Sequence, residues 1–295
     1  GCSAQQGLAA MGELLQGKHR IDAVIGPGCS SACEVTAYLS AGQNIPQISY
    51  GCTSPALSDK AKYPLFSRTV APETSKGPAL IGLMRHNRWS KAVMLTSTDG
   101  VYFESGRGLM RQLEAAGIEV LKPAAFEPGE FSEETLGTIR RSGIRIVILM
   151  AYLADQKAIA SSARRHEMNG AGWGWVLLEE EDRVDPSMQG WLTIRRALVS
   201  EGMEAFAEQV SQYTASNFQI SLTAQSADSS YSAALHDSIM LYAHAATRVL
   251  ASGGNLHNGS AVTETIRSTT FKGVGEALVT LDGQGDRIES NEVVN

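Results

Sequence analysis

The chain lacks the patterns that mark several common classes of protein. No apolar run approaches the roughly 18 residues needed to span a bilayer. No GxSxG, GxxxxGK[ST] or CxxC pattern is present, since Gly12–Lys18 is followed by His19 rather than Ser or Thr, and no nucleophile stands beside a base in a recognisable order. The six histidines are scattered, and His236 and His244, which share one predicted helix, have no Asp or Glu at metal-ligand spacing beside them. We therefore expect no enzyme, no cofactor and no metal.

Charge and length restrict the class further. The formal net charge of −6 is the wrong sign for a nucleic-acid surface, so no nucleic-acid partner is expected. The 295 residues, 43% of them apolar and 19% charged, have ordinary globular composition and are too many for one small core. No signal peptide is visible and the first residue is not Met, which favours a mature or excised fragment.

Apolar strands alternate with amphipathic helices along the chain. This rhythm predicts an α/β fold with parallel sheets flanked by helices. Strands are predicted over 23–25, 45–50, 92–95, 119–121, 146–150, 175–178 and 191–199, and helices over 2–16, 75–87, 104–116, 133–142, 155–169, 203–214, 231–251 and 260–269. A hairpin of 277–281 and 286–291, turned by 282–285, is predicted to end the chain.

The segment 26–57 twice follows a strand with a tight turn and a helix start. One turn carries Ser30 and the other Thr53, 23 residues further on. Neighbouring parallel strands would direct both hydroxyls, and the free N–H groups of both helix starts, to one point. Such a point favours a small anion, and a carboxylate is our prediction.

Plain helix capping is the alternative interpretation of these serines. Ser31 and Glu34 fit a capping box, and Ser54 before Pro55 fits an N-cap. These caps would leave Ser30 and Thr53, one residue earlier in each turn, without a structural role, which favours a binding site.

The stretch IPQISYGCTSPALSDKAKYPLFSRTVAPE resembles metabotropic glutamate and GABA-B receptor ectodomains, and FKGVGEALVTLDGQGDR near the end does so again. These belong to the ligand-binding region shared by class C G-protein-coupled receptors, receptor guanylyl cyclases and type I periplasmic binding proteins. The resemblance implies two Rossmann-like lobes joined by three crossovers near Trp89, Ser200 and Thr270. Lobe 1 would be 1–88 plus 200–269, and lobe 2 would be 89–199 plus 270–295. The family's first strand, helix and second strand have no counterpart here, so the first lobe is expected to lack them.

The same resemblance implies roles for individual residues on lobe 1. Ser30 and Thr53 match the hydroxyl residues that bind an amino acid's α-carboxylate. The loop amides around them, including those of Ser31 and Gly51, would complete the anion site.

On lobe 2 the resemblance points to residues of an opposing wall. Tyr102 and Tyr152 match ligand-covering tyrosines, with ordinary packing of each ring as the alternative. Glu179 or Glu180 would meet the ammonium group, although four adjacent carboxylates also fit a solvated loop. Glu73 matches an acidic hinge position. Outside this set, Arg68 and Lys76 are further candidates for a second ligand carboxylate.

Four cysteines leave the disulfide pairing undecided from the sequence itself. By resemblance, Cys2 pairs with Cys29, which implies an oxidising, extracellular compartment. Whether Cys33 and Cys52 pair stays open. Asn258 begins a glycosylation sequon, which is a weak signal alone.

The resemblance implies a receptor ectodomain that closes on a small amino acid or related carboxylate and signals by hinge closure. It would lie outside the plasma membrane, dimerise through lobe 1 and be tethered by a segment outside this chain. A soluble periplasmic-type binding protein of a transporter is one alternative. A ligand-free or peptide-binding dimerisation module is the other.

Overall fold

The computed structural model describes residues 2–121, 125–178, 186–197, 202–222, 230–274 and 278–295. The chain divides into two compact units, Gly1–Pro72 with Leu198–Glu289 (unit 1) and Glu73–Ala197 with Ser290–Asn295 (unit 2). Each has its own sheet and hydrophobic core. The predicted α/β class with mostly parallel sheets is confirmed.

Unit 1 is built on a three-stranded parallel sheet in the order β1-β2-β3. These strands are Val24–Ile25, Gln47–Ser49 and Phe66–Arg68. Its helices are α1 (Ala4–Leu15), α2 (Ser30–Gly42), α7 (Met203–Phe218), α8 (Ser230–Ala251) and α9 (Gly259–Arg267), and a short antiparallel pair, β9 (Phe271–Lys272) and β10 (Leu278–Val279), follows. Apolar side chains of α8 and α9 pack on Ile48, and those of α2 pack around Phe66.

Unit 2 is a six-stranded sheet in the order β11-β8-β7-β6-β4-β5, parallel except for β11. The strands are β4 (Lys91–Thr96), β5 (Glu119–Leu121), β6 (Ile146–Met150), β7 (Gly174–Leu178), β8 (Leu192–Arg196) and β11 (Asn291–Val294). Its helices are α3 (Gly77–His86), α4 (Gly100–Ala115), α5 (Glu133–Arg141) and α6 (Leu153–Arg165).

The side chains of β4 and β6 alternate between two cores of unit 2. Val93 and Leu95 face the core beneath α5 and α6, whereas Ala92 and Met94 face the core beneath α3 and α4. Because both faces are covered, these strands consist of continuous apolar runs, as is usual for parallel sheets.

The division into units differs from the predicted lobes in two places. Helix α3 belongs to unit 2, since Leu80 and Met84 are buried in the core beneath α3 and α4. The segment 271–289 belongs to unit 1, since Leu281 packs with Ile48 and Asp286 bonds to Arg68. The first and last boundaries therefore fall at 72/73 and 289/290, while the middle one at 197/198 lies close to the predicted crossing.

Two local predictions need correction. The capping box of Ser31 and Glu34 does not form, because α2 begins two residues earlier with Cys29 as N-cap, and Glu34 accepts from the Ser54 hydroxyl instead (2.9 Å). The terminal hairpin is right in its turn, where Asp282 accepts from the amides of Gln284 and Asp286 and Leu281 pairs with Arg287. Its second strand is wrong, since β11 starts only at Asn291 and pairs with β8.

Candidate functional site

The two turns of the predicted anion site lie against each other in unit 1. A Cβ on Gly51 would stand 2.7 Å from the carbonyl oxygen of Gly28, so the backbones approach as closely as two glycines allow. The Ser49 hydroxyl donates to the Pro27 carbonyl (2.7 Å) and accepts from the amides of Gly51 and Cys52. The parallel pairing of β1 with β2 brings the two turns together because each follows its strand directly.

Ser30 has a structural role as well as a position at the site. Its hydroxyl oxygen accepts from the Ser54 amide at 3.1 Å, which ties the start of α2 to the second turn. The expectation that Ser30 would be without a structural bond is therefore wrong. The hydroxyl proton is still free to be donated to another group, because this bond uses only the oxygen.

Thr53 is held by its neighbours rather than by its own side chain. Arg68 donates to the carbonyl oxygens of Cys52 (2.7 Å) and Ser54 (2.8 Å), on either side of Thr53. Arg68 is fully buried and also bonds Asp286 and Ser58, so the interpretation of Arg68 as a ligand-contacting residue is wrong. It fixes the backbone that carries Thr53.

Several hydrogen-bond donors at the turns of Ser30 and Thr53 are available to a ligand. Within the described ranges, the amides of Ser30, Ser31 and Thr53 and the Thr53 hydroxyl have no acceptor. The first two belong to the N-terminus of the 13-residue helix α2, where the helix dipole favours a negative charge. Together with the Ser30 hydroxyl, these groups form a set of hydroxyl and amide donors, which are the groups that carboxylate oxygens accept hydrogen bonds from.

Two disulfides frame the turns. Cys2–Cys29, the pairing that the resemblance implied, joins the chain before α1 to the residue before Ser30. Cys33–Cys52, which the sequence left open, joins α2 to the residue before Thr53. Every cysteine of the chain is thus paired.

Unit 2 brings Tyr102 and Tyr152 together. Their ring centroids lie 4.9 Å apart in an edge-to-face arrangement, with Tyr102 in the first turn of α4 and Tyr152 at the N-cap of α6. Burial, and then the negative charge and hydrogen bond of Asp99, raise the pKa of Tyr152 to about 12. Tyr152 is nevertheless 46% exposed, so both packing against Tyr102 and contact with a ligand suit this ring.

The predicted acidic residues have different positions. Glu73 is buried and forms a salt bridge of 2.7 Å with Lys76, so its charge is compensated within unit 2. Glu179 and Glu180 lie outside the described residues. Asn258 is exposed, and its side-chain oxygen caps α9 by accepting from the Ala261 amide. The roles of these four residues stay predictions.

The described residues contain neither a helix that is long and apolar enough to cross a membrane nor a group of three or more potential metal ligands.

A comparison with protein-family models matches residues 1–295 to the receptor family ligand binding region. The chain belongs to this family. Among its relatives, metabotropic glutamate receptor 6 of rabbit is 31% identical over 157 residues, or 51% of this chain and 18% of the receptor. Human metabotropic glutamate receptor 8 is also 31% identical to this chain over 157 residues, which are 17% of the receptor's length.

GABA-B receptor subunit 1 of mouse is 26% identical to this receptor-family region over 179 residues, or 60% of the chain and 18% of the subunit. The matches span about a fifth of the length of these relatives. The relatives are receptors rather than enzymes, and they are of the class that the segment 45–73 indicated.

The sequence did not reveal the roles of Arg68, Ser49 and Glu34 around the site. Each bonds a residue at least 16 positions away in the sequence, and no local pattern encodes such a contact. The repeated strand, turn and helix start was the one signal available, and it indicated the two turns that lie against each other in unit 1.

Proposed function

We propose that this chain is the ligand-binding region of a cell-surface receptor and that unit 1 binds the carboxylate of a small amino acid or related acid. The observation that carries the proposal is the set of donors at the joined turns. The hydroxyls of Ser30 and Thr53 and the amides of Ser30, Ser31 and Thr53 lie on two turns that are bonded to each other. Charge-assisted bonds from several fixed donors are the usual way to hold a carboxylate.

Unit 2 supplies further ligand contacts in this proposal. Tyr102 and Tyr152 offer an aromatic surface for the ammonium group or the ligand body, and the acidic partner is Glu179 or Glu180, with Glu73 as a further candidate. Ligand contacts from both units would favour closure about the crossovers, because a ligand shifts a conformational equilibrium only by its different affinity for the two states.

The location and assembly follow the same reasoning. Two disulfides suit an oxidising compartment, and the relatives are receptors, so we place the chain on the extracellular face of the plasma membrane, tethered by a segment outside it. Dimerisation through unit 1 is supported by exposed apolar side chains on α1 and α2, namely Leu8, Leu14, Tyr38 and Leu39.

Ligand binding by the purified chain tests the proposal. The probes are L-glutamate, 4-aminobutyrate, glycine and L-alanine, each titrated calorimetrically. A matched control is isoglutamine, which carries an amide in place of the α-carboxylate of glutamate. Saturable heat from a carboxylate, absent with its amide, is expected. No heat from any probe, with the chain folded, would contradict a carboxylate site and favour the peptide-binding or dimerisation module.

A further inference from the structure

The second disulfide lies directly beside the donors of the candidate site. Cys52 immediately precedes Thr53, and Cys33 follows Ser30 by three residues, within the first turn of α2. The two Cα atoms are 6.4 Å apart, and both side chains are fully buried with Ala37, Leu57 and Phe66. This covalent link therefore joins the backbone on which Ser30 lies to the backbone on which Thr53 lies.

The other links between α2 and the second turn are single hydrogen bonds. The Ser54 amide donates to the Ser30 hydroxyl, and the Ser54 hydroxyl donates to Glu34. The Ser30 hydroxyl is also one of the groups that would bind the ligand, so its bond to Ser54 has to keep its geometry while the hydroxyl proton is donated to a carboxylate. A covalent bond beside it keeps the separation of the two turns unchanged when the hydrogen bonds rearrange.

The remaining contacts act on the second turn alone or join it to the part of the first turn that precedes Ser30. Arg68 fixes the carbonyls of Cys52 and Ser54, and Ser49 joins the Pro27 carbonyl to the amides of Gly51 and Cys52. Neither reaches the first turn of α2. Among the described residues, the disulfide is thus the covalent contact between α2 and the turn of Thr53.

We propose that the Cys33–Cys52 disulfide is a positioning element of the ligand site, which holds the Thr53 hydroxyl at the separation from the Ser30 hydroxyl that lets both bind one carboxylate. This inference rests on the proposed function. It predicts that the disulfide affects ligand affinity through Thr53, in addition to the stability that any crosslink gives by restricting the unfolded chain.

A double-mutant cycle separates the two effects. Affinity for the tightest-binding probe among L-glutamate, 4-aminobutyrate, glycine and L-alanine is measured for the wild type, Cys33→Ala/Cys52→Ala, Thr53→Val and the triple variant. We expect Thr53→Val and the cysteine pair each to weaken binding about tenfold, because each removes a bond to a charged group or misplaces it. In the Thr53→Val background, the cysteine pair is expected to weaken binding less than about twofold, since groups that act together are not additive.

A matched control uses the other disulfide. Cys2→Ala/Cys29→Ala leaves the Cys33–Cys52 link intact, so Thr53→Val should still cost about tenfold in that background. If the alanine pair at 33 and 52 does not fold, Cys33→Val with Cys52→Ala keeps more of the buried volume and takes its place. Thermal unfolding of every variant shows that affinity is compared between folded proteins.

Amide hydrogen exchange without ligand gives a second readout. In Cys33→Ala/Cys52→Ala, faster exchange is expected at the hydrogen-bonded amides of 32, 33, 51, 52 and 54, with α8 unchanged. Uniformly faster exchange across unit 1 would overturn the inference. The inference would also be overturned if Cys33→Ala/Cys52→Ala lowered ligand affinity by the same factor in the wild type and in Thr53→Val. That result would leave the proposed function standing. If the wild type binds none of the probes, the proposed function fails and the inference falls with it.

Discussion

Arg68 and Asp286 form a buried salt bridge of 2.7 Å between residues 218 positions apart in the sequence. Asp286 also accepts from the Ser58 hydroxyl, which in turn accepts from Arg68, so the guanidinium has partners on each side. The same guanidinium holds the two carbonyls that flank Thr53. The end of unit 1 thereby supports the turn of the candidate ligand site.

Removing one partner of this pair should be far more costly than removing one of an exposed pair. Asp286→Ala leaves the Arg68 charge buried without its anion, and we expect a loss of about 3–5 kcal/mol in the free energy of unfolding. Glu119→Ala, which breaks the exposed pair with Lys91, is the control and should cost less than about 1 kcal/mol. Urea unfolding of the purified variants measures both. Similar costs for the two substitutions would show that Arg68 does not depend on Asp286.

Gly51→Ala should disturb the site by a purely steric route. The new Cβ would meet the Gly28 carbonyl oxygen at 2.7 Å, so the two turns must separate, at a cost of about 1–3 kcal/mol. Gly82→Ala in α3 meets nothing within 4 Å and should stabilise the chain by about 0.5–1 kcal/mol. Thermal unfolding compares them, and a stable, fully binding Gly51→Ala variant would contradict the observed contact of the turns.

Lys60 should give the free energy of unfolding a pH dependence. Burial lowers the pKa of Lys60 to about 7, against the raising effect of Asp286, whereas an unfolded lysine has a pKa of about 10.4. Between these values the unfolded chain binds more protons, so the free energy of unfolding rises with pH from about 7 to about 10. Below about pH 7 both states are protonated and the cost of burying the ammonium is fully present.

Lys60→Met removes the titrating amine, so the free energy of unfolding of this variant should rise less with pH than that of the wild type. Lys62→Met, at an exposed neighbouring position, should leave it unchanged. Urea midpoints of both variants at several pH values between about 6 and 10 test this. A wild-type profile that stays flat, or a Lys60→Met profile that rises as steeply as the wild type, would contradict the lowered pKa.

Glycosylation at Asn258 is testable with a substitution that spares the helix cap. Ser260→Ala destroys the sequon, while Asn258 still accepts from the Ala261 amide. Expression in a secretory cell line should give a heavier wild type than Ser260→Ala, and enzymatic removal of N-glycans should equalise the masses. Identical masses before treatment would show that the sequon is not used.

The sequence predicted best the bounds of those strands that a local pattern of apolar residues or a preceding helix marks. The strands β5 and β6 have the bounds that were predicted for them, because 146–150 is a continuous apolar run buried on both faces and 119–121 follows a helix of clear period. The donor set at Ser30 and Thr53 was found because each turn repeats the same local pattern.

Long-range bonds determined what the sequence could not predict. The segment 286–290 was expected to be a strand, but Asp286 and Arg287 instead direct their side chains to Arg68 and to Asp237 on α8. Helix α2 starts at Ser30 rather than after Ser31, and Glu34 bonds Ser54. The interpretation of Arg68 failed for the same reason, since only the fold shows that its guanidinium has four partners.

The central claim is that the two joined turns bind a carboxylate. Calorimetric titration of the wild type, Ser30→Ala and Thr53→Val with the amino-acid probes tests it most directly. We predict saturable binding of at least one carboxylate to the wild type, and a loss of about 1–3 kcal/mol in binding free energy for each substitution. Binding that both substitutions leave unchanged would contradict the claim and place the ligand elsewhere on the chain.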